Sequence, residues 1–159
     1  MTTPAIHGSF SIERTYPATP ARVFRAFADE EAKRRWFVEG DGFEVHSYTA
    51  DFRIGGFERS RFQFLGNDAV PPTPMGNDTV YLDIIPDERI VIAYSMTMKD
   101  RPISASLATI ELTAAGGGTR LLYTEQAAFF EGGDGPELRE TGCRELLEHL
   151  AEELAAHPA

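Results

Sequence analysis

Cysteine is all but missing: Cys143 is the single one in 159 residues, so no disulfide within the chain can brace the fold. Positive charge is also scarce. Fifteen Lys and Arg stand against 25 Asp and Glu, a net charge of -10. That balance argues against nucleic acid and against an anionic membrane surface, since both are held by clustered basic residues. The one basic run, Lys33-Arg34-Arg35, is too short to reverse this and is expected to border a helix end. No apolar run reaches the roughly 18 residues of a membrane-crossing helix. Met1 to Gly8 hold no leader-like apolar stretch, so the expected location is cytoplasmic. His7, His46, His149 and His157 have no metal-ligand spacing, and no metal is expected. No cofactor is expected either. Gly116-Gly117-Gly118 separates two strand-like runs and does not open a helix, so it is no phosphate loop, and there is no serine nucleophile elbow.

What is present is an ordinary globular composition, 42% hydrophobic and 25% charged, in a length that suits one domain spanning 1–159 with its core over about 9–157. Eleven Phe, five Tyr and one Trp fit either a Phe-rich core or an apolar pocket. Met1 to Gly8 reads as a tail. Ser9 to Tyr16 alternates like a strand and ends at Pro17. Thr19-Pro20 has the cap and first-position chemistry of a helix start, with Val23, Phe24 and Phe27 as its apolar face, and Asp29 opens a second short helix to about Trp36. Strands are expected over Phe43–Tyr48 and Asp51–Phe64, the latter broken at Gly55-Gly56. Gly66 to Asp78, rich in proline and glycine, reads as a loop. Four more strands are expected over Thr79–Ile85, Arg89–Met98, Ser104–Leu112 and Thr119–Phe129.

Asp134 to His157 carries Leu138, Gly142, Leu146, Leu150 and Leu154 at fourfold spacing, widened by Cys143 and Leu147. Glu145, Glu148, Glu152 and Glu153 fall mostly on the other side. This predicts a long amphipathic helix packed on the sheet. The class is α+β, a helix-grip fold: a curved antiparallel sheet of about six to seven strands around a long C-terminal helix, with two short helices after the first strand.

Several stretches carry a family resemblance: Thr19-Pro20 with Val23-Phe24, Arg35-Trp36-Phe37, Asp51-Phe52-Arg53-Ile54-Gly55-Gly56, Pro86-Asp87-Glu88-Arg89-Ile90 and Gly118-Thr119-Arg120-Leu121. In this order they resemble the SRPBCC superfamily of START-domain and birch-pollen-allergen-like proteins. Within it they resemble the branch homologous to the activator of the heat-shock-protein-90 ATPase. The resemblance covers roughly Phe10 to Leu154. That branch commonly has Trp where this chain has Tyr94, and Trp after the helix glycine where it has Cys143.

The resemblance implies a cleft between sheet and helix and, as the first expectation, the binding of a small hydrophobic molecule. Trp36, Tyr81, Tyr94, Met96, Met98, Glu125, Cys143 and Leu147 are the expected lining, with open space beside Cys143 in place of the missing ring. The second expectation is a cofactor-independent enzyme, a polyketide cyclase, dehydratase or hydrolase, using Glu125 or Tyr94. The third is a protein-binding module that stimulates a chaperone ATPase, although the further N-terminal domain of the eukaryotic activator is not expected here. A homodimer stays open.

Glu125 is the one candidate catalytic residue. It shares a strand face with Leu121 and Tyr123, and a carboxylate in an apolar cleft would hold its proton more tightly. His46 is a candidate partner. The structural alternative puts Glu125 near the cleft's open end, solvated or paired with Arg59 or Arg61. Cys143 reads as a small core residue, Asp51 with Arg53 as a structural pair, and Trp36-Phe37 as closing the core.

Overall fold

Residues 3–158 are described by the structure, a computed structural model; Met1 and Thr2 of the expected tail lie outside them. The chain runs β1 (Ile6–Tyr16), α1 (Pro20–Ala28), α2 (Glu30–Lys33) and a π-helical turn (Arg34–Val38). Then come β2 (Phe43–Ala50), β3 (Phe57–Phe64), β4 (Thr73–Ile85), β5 (Arg89–Met98), β6 (Arg101–Ala115), β7 (Gly118–Phe129) and α3 (Pro136–Ala156). The seven strands form one antiparallel sheet in the order β1-β7-β6-β5-β4-β3-β2. No helix among the described residues is long and apolar enough to cross a membrane.

The helix starts follow from their caps. Thr19 accepts a hydrogen bond from the Arg22 amide, 3.2 Å, ahead of Pro20 at the first position of α1. Asp29 accepts one from the Ala32 amide, 3.0 Å, and so starts α2 directly where α1 stops. The π-helical turn then faces Trp36 into the core, where its indole N–H donates to the Ala26 carbonyl at 2.8 Å. Wide turns of this type are rare and concentrate where a side chain must be re-aimed.

Several strands differ in extent from the sequence expectation. β1 starts at Ile6, inside the expected tail, and β6 starts at Arg101. Asp51–Gly56 is a loop that leads into β3. In it Gly55 has φ 83°, and a Cβ on Gly56 would stand 2.1 Å from the Asp51 carbonyl oxygen. Thr73 to Asp78, expected as loop, is the first half of β4. Pro74 is tolerated there because it is the second residue of the strand, where a missing N–H costs little. Gly76 is required by crowding: a Cβ would come within 2.7 Å of Thr97 Oγ1.

α3 packs its inward row, Arg139, Cys143, Leu147, Leu150 and Leu154, on the sheet and on α1. The Leu147 carbonyl accepts from the Tyr16 hydroxyl at 2.8 Å. Two expectations for this helix are corrected. Leu138 is 66% exposed, because Arg139, one position on, takes the inward place through its ion pairs. Glu153 is buried, because Arg35 of the π-helical turn grips it bidentately at 2.7 and 2.9 Å.

Candidate functional site

The inward face of β7 carries Leu121, Tyr123, Glu125, Ala127 and Phe129 at alternate positions. Glu125 lies between Phe10 of the edge strand β1 and Ala108 of β6 and is 0% exposed. A buried carboxylate is tolerated only when its oxygens are satisfied, and here four side chains do so. Tyr94 donates at 2.8 and 2.9 Å, Ser106 at 2.8 Å and Tyr123 at 2.5 Å. Arg139 brings its guanidinium to 3.5 Å. Burial first, with Glu125's negative charge adding to it, holds both phenols above their ordinary range, so they stay protonated as donors. The partner is therefore Arg139 on α3. Arg59 and Arg61 are turned instead toward Asp78.

All three nitrogens of the Arg139 guanidinium donate. Nε and Nη2 grip the Asp134 carboxylate at 2.8 and 2.9 Å, Nη2 also reaches Ser104 Oγ at 2.7 Å, and Nη1 donates to the Tyr94 hydroxyl at 3.0 Å. Its cationic carbon lies 5.1 Å from the Phe129 ring centre and 5.7 Å from that of Tyr94. The Cys143 thiol stands 3.8 Å from both the Tyr123 hydroxyl and Glu125. Burial first, and then Glu125's charge, push that thiol up to about 12, so it is no nucleophile at neutral pH. Cys143 itself is 7% exposed, with Tyr123 and Glu125 against its thiol.

Beyond this cluster the inward face is half-open and carries methionines and Phe62 beside polar Asn77, which stands opposite Met96. Tyr94, Met96 and Met98 alternate along β5. Met98 stands opposite Met75, and Met75 opposite Phe62, which puts all three on that face; each is half-buried. On the flank of α3 toward the π-helical turn, a Cβ on Gly142 would meet nothing within 4 Å. A shallow hollow opens at the rim between Arg34, Glu39–Asp41, Phe43 and Val45, and another lies over Ser9, Ala105 and Gln126 on the sheet's outer face.

A second buried polar group sits below the π-helical turn. Lys33 Nζ reaches the Glu58 oxygens at 3.0 and 3.3 Å, and the Tyr81 hydroxyl donates to the same carboxylate. The ammonium is 4.4 Å from the Phe37 ring centre and within 6 Å of those of Phe27 and Trp36. The nearby Tyr48 hydroxyl is buried without a partner among the described residues.

Of the eight residues expected to line a cleft, Tyr94, Glu125 and Cys143 meet directly, and Met96 and Met98 extend the same face. Trp36 and Tyr81 belong to the Lys33 group, and Leu147 packs against Tyr16. His46 is exposed at a bulge between β2 and β3, away from Glu125. Asp51 and Arg53 do pair, at 2.7 Å, on the surface. Arg139, Asp134, Ser104, Ser106, Lys33 and Glu58 went unforeseen. Arg139 was discoverable, since it precedes Cys143 by four residues on the same helix row.

A curved seven-stranded antiparallel sheet holding a long C-terminal helix makes this a helix-grip protein. The chain belongs to the family described as Activator of Hsp90 ATPase homolog 1-like proteins, whose sequence model matches residues 17–155. It is similar to Mll3558 of Rhizobium loti, with 51% identity over 96% of this chain and 100% of that one and a TM-score of 0.84. A Rhizobium leguminosarum protein is 37% identical over 96% of this chain and 97% of its own, with a TM-score of 0.86. SA2116 of Staphylococcus aureus, at 14% identity over 96% of each chain and a TM-score of 0.70, shares the fold. No protein with a curated description matches.

Proposed function

We propose that the protein binds a small, largely apolar molecule between the sheet and α3, with the Tyr94–Glu125–Arg139 cluster at the polar end of the site. The observation that carries this is the row Phe62, Met75, Met98, with Met96 beside it: apolar side chains on the inward face of the sheet that α3 leaves half-uncovered. Inward positions are ordinarily closed by the core. An apolar strip that ends at a few fixed polar groups is what small-molecule sites commonly present, and methionines adapt to irregular ligands. Gly142, where an added Cβ would meet nothing within 4 Å, leaves such a ligand room beside the helix.

Nile red, an uncharged dye, tests the reading. Saturable fluorescence enhancement is expected with the wild type. Gly142→Phe, which fills the space beside the helix, should weaken it, and Leu107→Phe on the opposite face of the sheet should not. Absence of saturable binding, or equal binding by all three proteins, removes the cleft reading.

A second reading, a cofactor-independent enzyme, is favoured by one observation: Glu125 is wholly buried among three proton-bearing hydroxyls. Such a carboxylate can exchange a proton with a ligand that displaces one of them. A ligand recovered chemically altered from the wild type but unaltered from Glu125→Gln would put this reading first. Stimulation of a chaperone ATPase is supported by the family description alone.

A further inference from the structure

The cleft reading leaves the ligand's polar end undefined, and the surroundings of Arg139 supply it. We propose that Asp134 is a built-in substitute for a ligand's carboxylate, and that the cleft takes amphiphilic carboxylic acids whose acid group exchanges with Asp134 on the Arg139 fork.

The guanidinium is the fixed half of this pair. Its side chain is 7% exposed, and Ser104, Tyr94 and the Phe129 ring hold it from three sides. Asp134 is the half that can leave. Its side chain is 27% exposed, and it stands between Gly133 and Gly135 in the segment that joins β7 to α3. Gly132 and Gly135 both have φ 84°, backbone that only glycine takes without strain. The Nε–Nη2 edge of an arginine matches a planar carboxylate in two parallel hydrogen bonds, and the Asp134 contacts show that this edge is aimed to do so.

Charge decides the class of head group. One cation, Arg139, lies between two carboxylates, Glu125 and Asp134. Exchanging Asp134 for a ligand carboxylate leaves that balance unchanged. An amine would set a second cation beside the guanidinium, and it would find the Glu125 oxygens already taken by hydroxyls. Position decides the rest. Ser104, which Arg139 holds, stands directly opposite Met96, so an acid on the fork can lay its chain along Met96, Met98 and Met75.

The test is displacement of bound Nile red by dodecanoate, dodecanol and dodecylamine. It uses the intact chain, Asp134→Asn, and the double variant Arg139→Gln/Glu125→Gln. Arg139→Gln alone would strand a buried carboxylate and risk unfolding; the double variant removes both charges together. Dodecanoate should displace the dye at about tenfold lower concentration than dodecanol, with dodecylamine weakest. Asp134→Asn should lower the dodecanoate concentration about a further tenfold and leave dodecanol unchanged, because the internal competitor is gone. The double variant should treat acid and alcohol alike; if circular dichroism finds it unfolded, the Asp134→Asn comparison decides. Equal displacement by dodecanoate and dodecanol in both wild type and Asp134→Asn overturns the head-group inference and leaves the cleft reading standing. If the dye does not bind at all, both fall.

Discussion

Lys33 and Glu58 meet at 3.0 Å inside the protein, one at the end of α2 and the other near the start of β3, with both side chains more than nine-tenths buried. Removing one partner of such a pair leaves a charge that the interior cannot solvate. Glu58→Gln would strand the Lys33 ammonium among Phe27, Trp36 and Phe37. The expected loss is about 3–5 kcal/mol. Glu140→Gln removes a partner from the exposed Arg144–Glu140 pair and should change stability by no more than about 1 kcal/mol. Urea denaturation of the two variants against wild type checks the contrast.

Two leucines of α3 make a second comparison. Leu150 is fully buried in the core cluster, whereas Leu138 is two-thirds exposed. Leu150→Ala should cost about 2–5 kcal/mol through lost burial and the cavity left behind. Leu138→Ala should fall within about 0.5 kcal/mol of wild type. Melting temperatures with similar losses for both would mean that α3 is rotated from the orientation described.

Acid should weaken the clamp between the π-helical turn and α3. The hydrogen bond from Arg35 holds the Glu153 carboxyl below its ordinary range, despite the opposing effect of burial. A carboxyl with a depressed folded-state pKa contributes stability above its unfolded pKa, about 4.3, and loses it as the pH falls through the folded value. The stability difference between wild type and Glu153→Gln should therefore be constant near neutrality and shrink at acid pH. A difference that grew on acidification would contradict the pairing.

Two glycines should respond to alanine in opposite directions. At Gly56 the new Cβ would collide with the Asp51 carbonyl, so Gly56→Ala should destabilise by about 2 kcal/mol or more. At Gly142, inside α3 with nothing near the added methyl, Gly142→Ala should stabilise by about 0.5–1 kcal/mol. Thermal unfolding of both variants distinguishes a glycine that the fold needs from one that leaves space.

The backbone elements were legible because their signals are local. Thr19-Pro20 and Asp29 announce helix starts through their own side chains, and the alternation from Arg89 to Met98 marks a strand without help from elsewhere. The first half of β4 was hidden by Pro74 and Gly76, which read as loop residues until the crowding from Thr97 and Arg61 is known. The polar cluster was only half legible. Glu125 stood out because its strand face is otherwise apolar, yet its partner could not be read from pattern. Hydrophobic periodicity counts Leu138 and passes over Arg139, although the arginine faces inward because Glu125, Tyr94, Ser104 and Asp134 satisfy it. Lys33 was concealed in the same way: a basic run reads as surface until Glu58 is found across the fold.

The sheet is completed by pairing its first strand with its last, and that has a consequence for how the chain acquires its structure. Ser11 on β1 meets Thr124 on β7 across 113 residues of sequence. During synthesis β1 leaves the ribosome long before its partner exists, and the Glu125 cluster on β7 cannot close until α3 delivers Arg139. The β2–β7 meander pairs neighbours in sequence and can form locally, whereas the β1–β7 closure is a long-range contact of the kind that forms slowly and late.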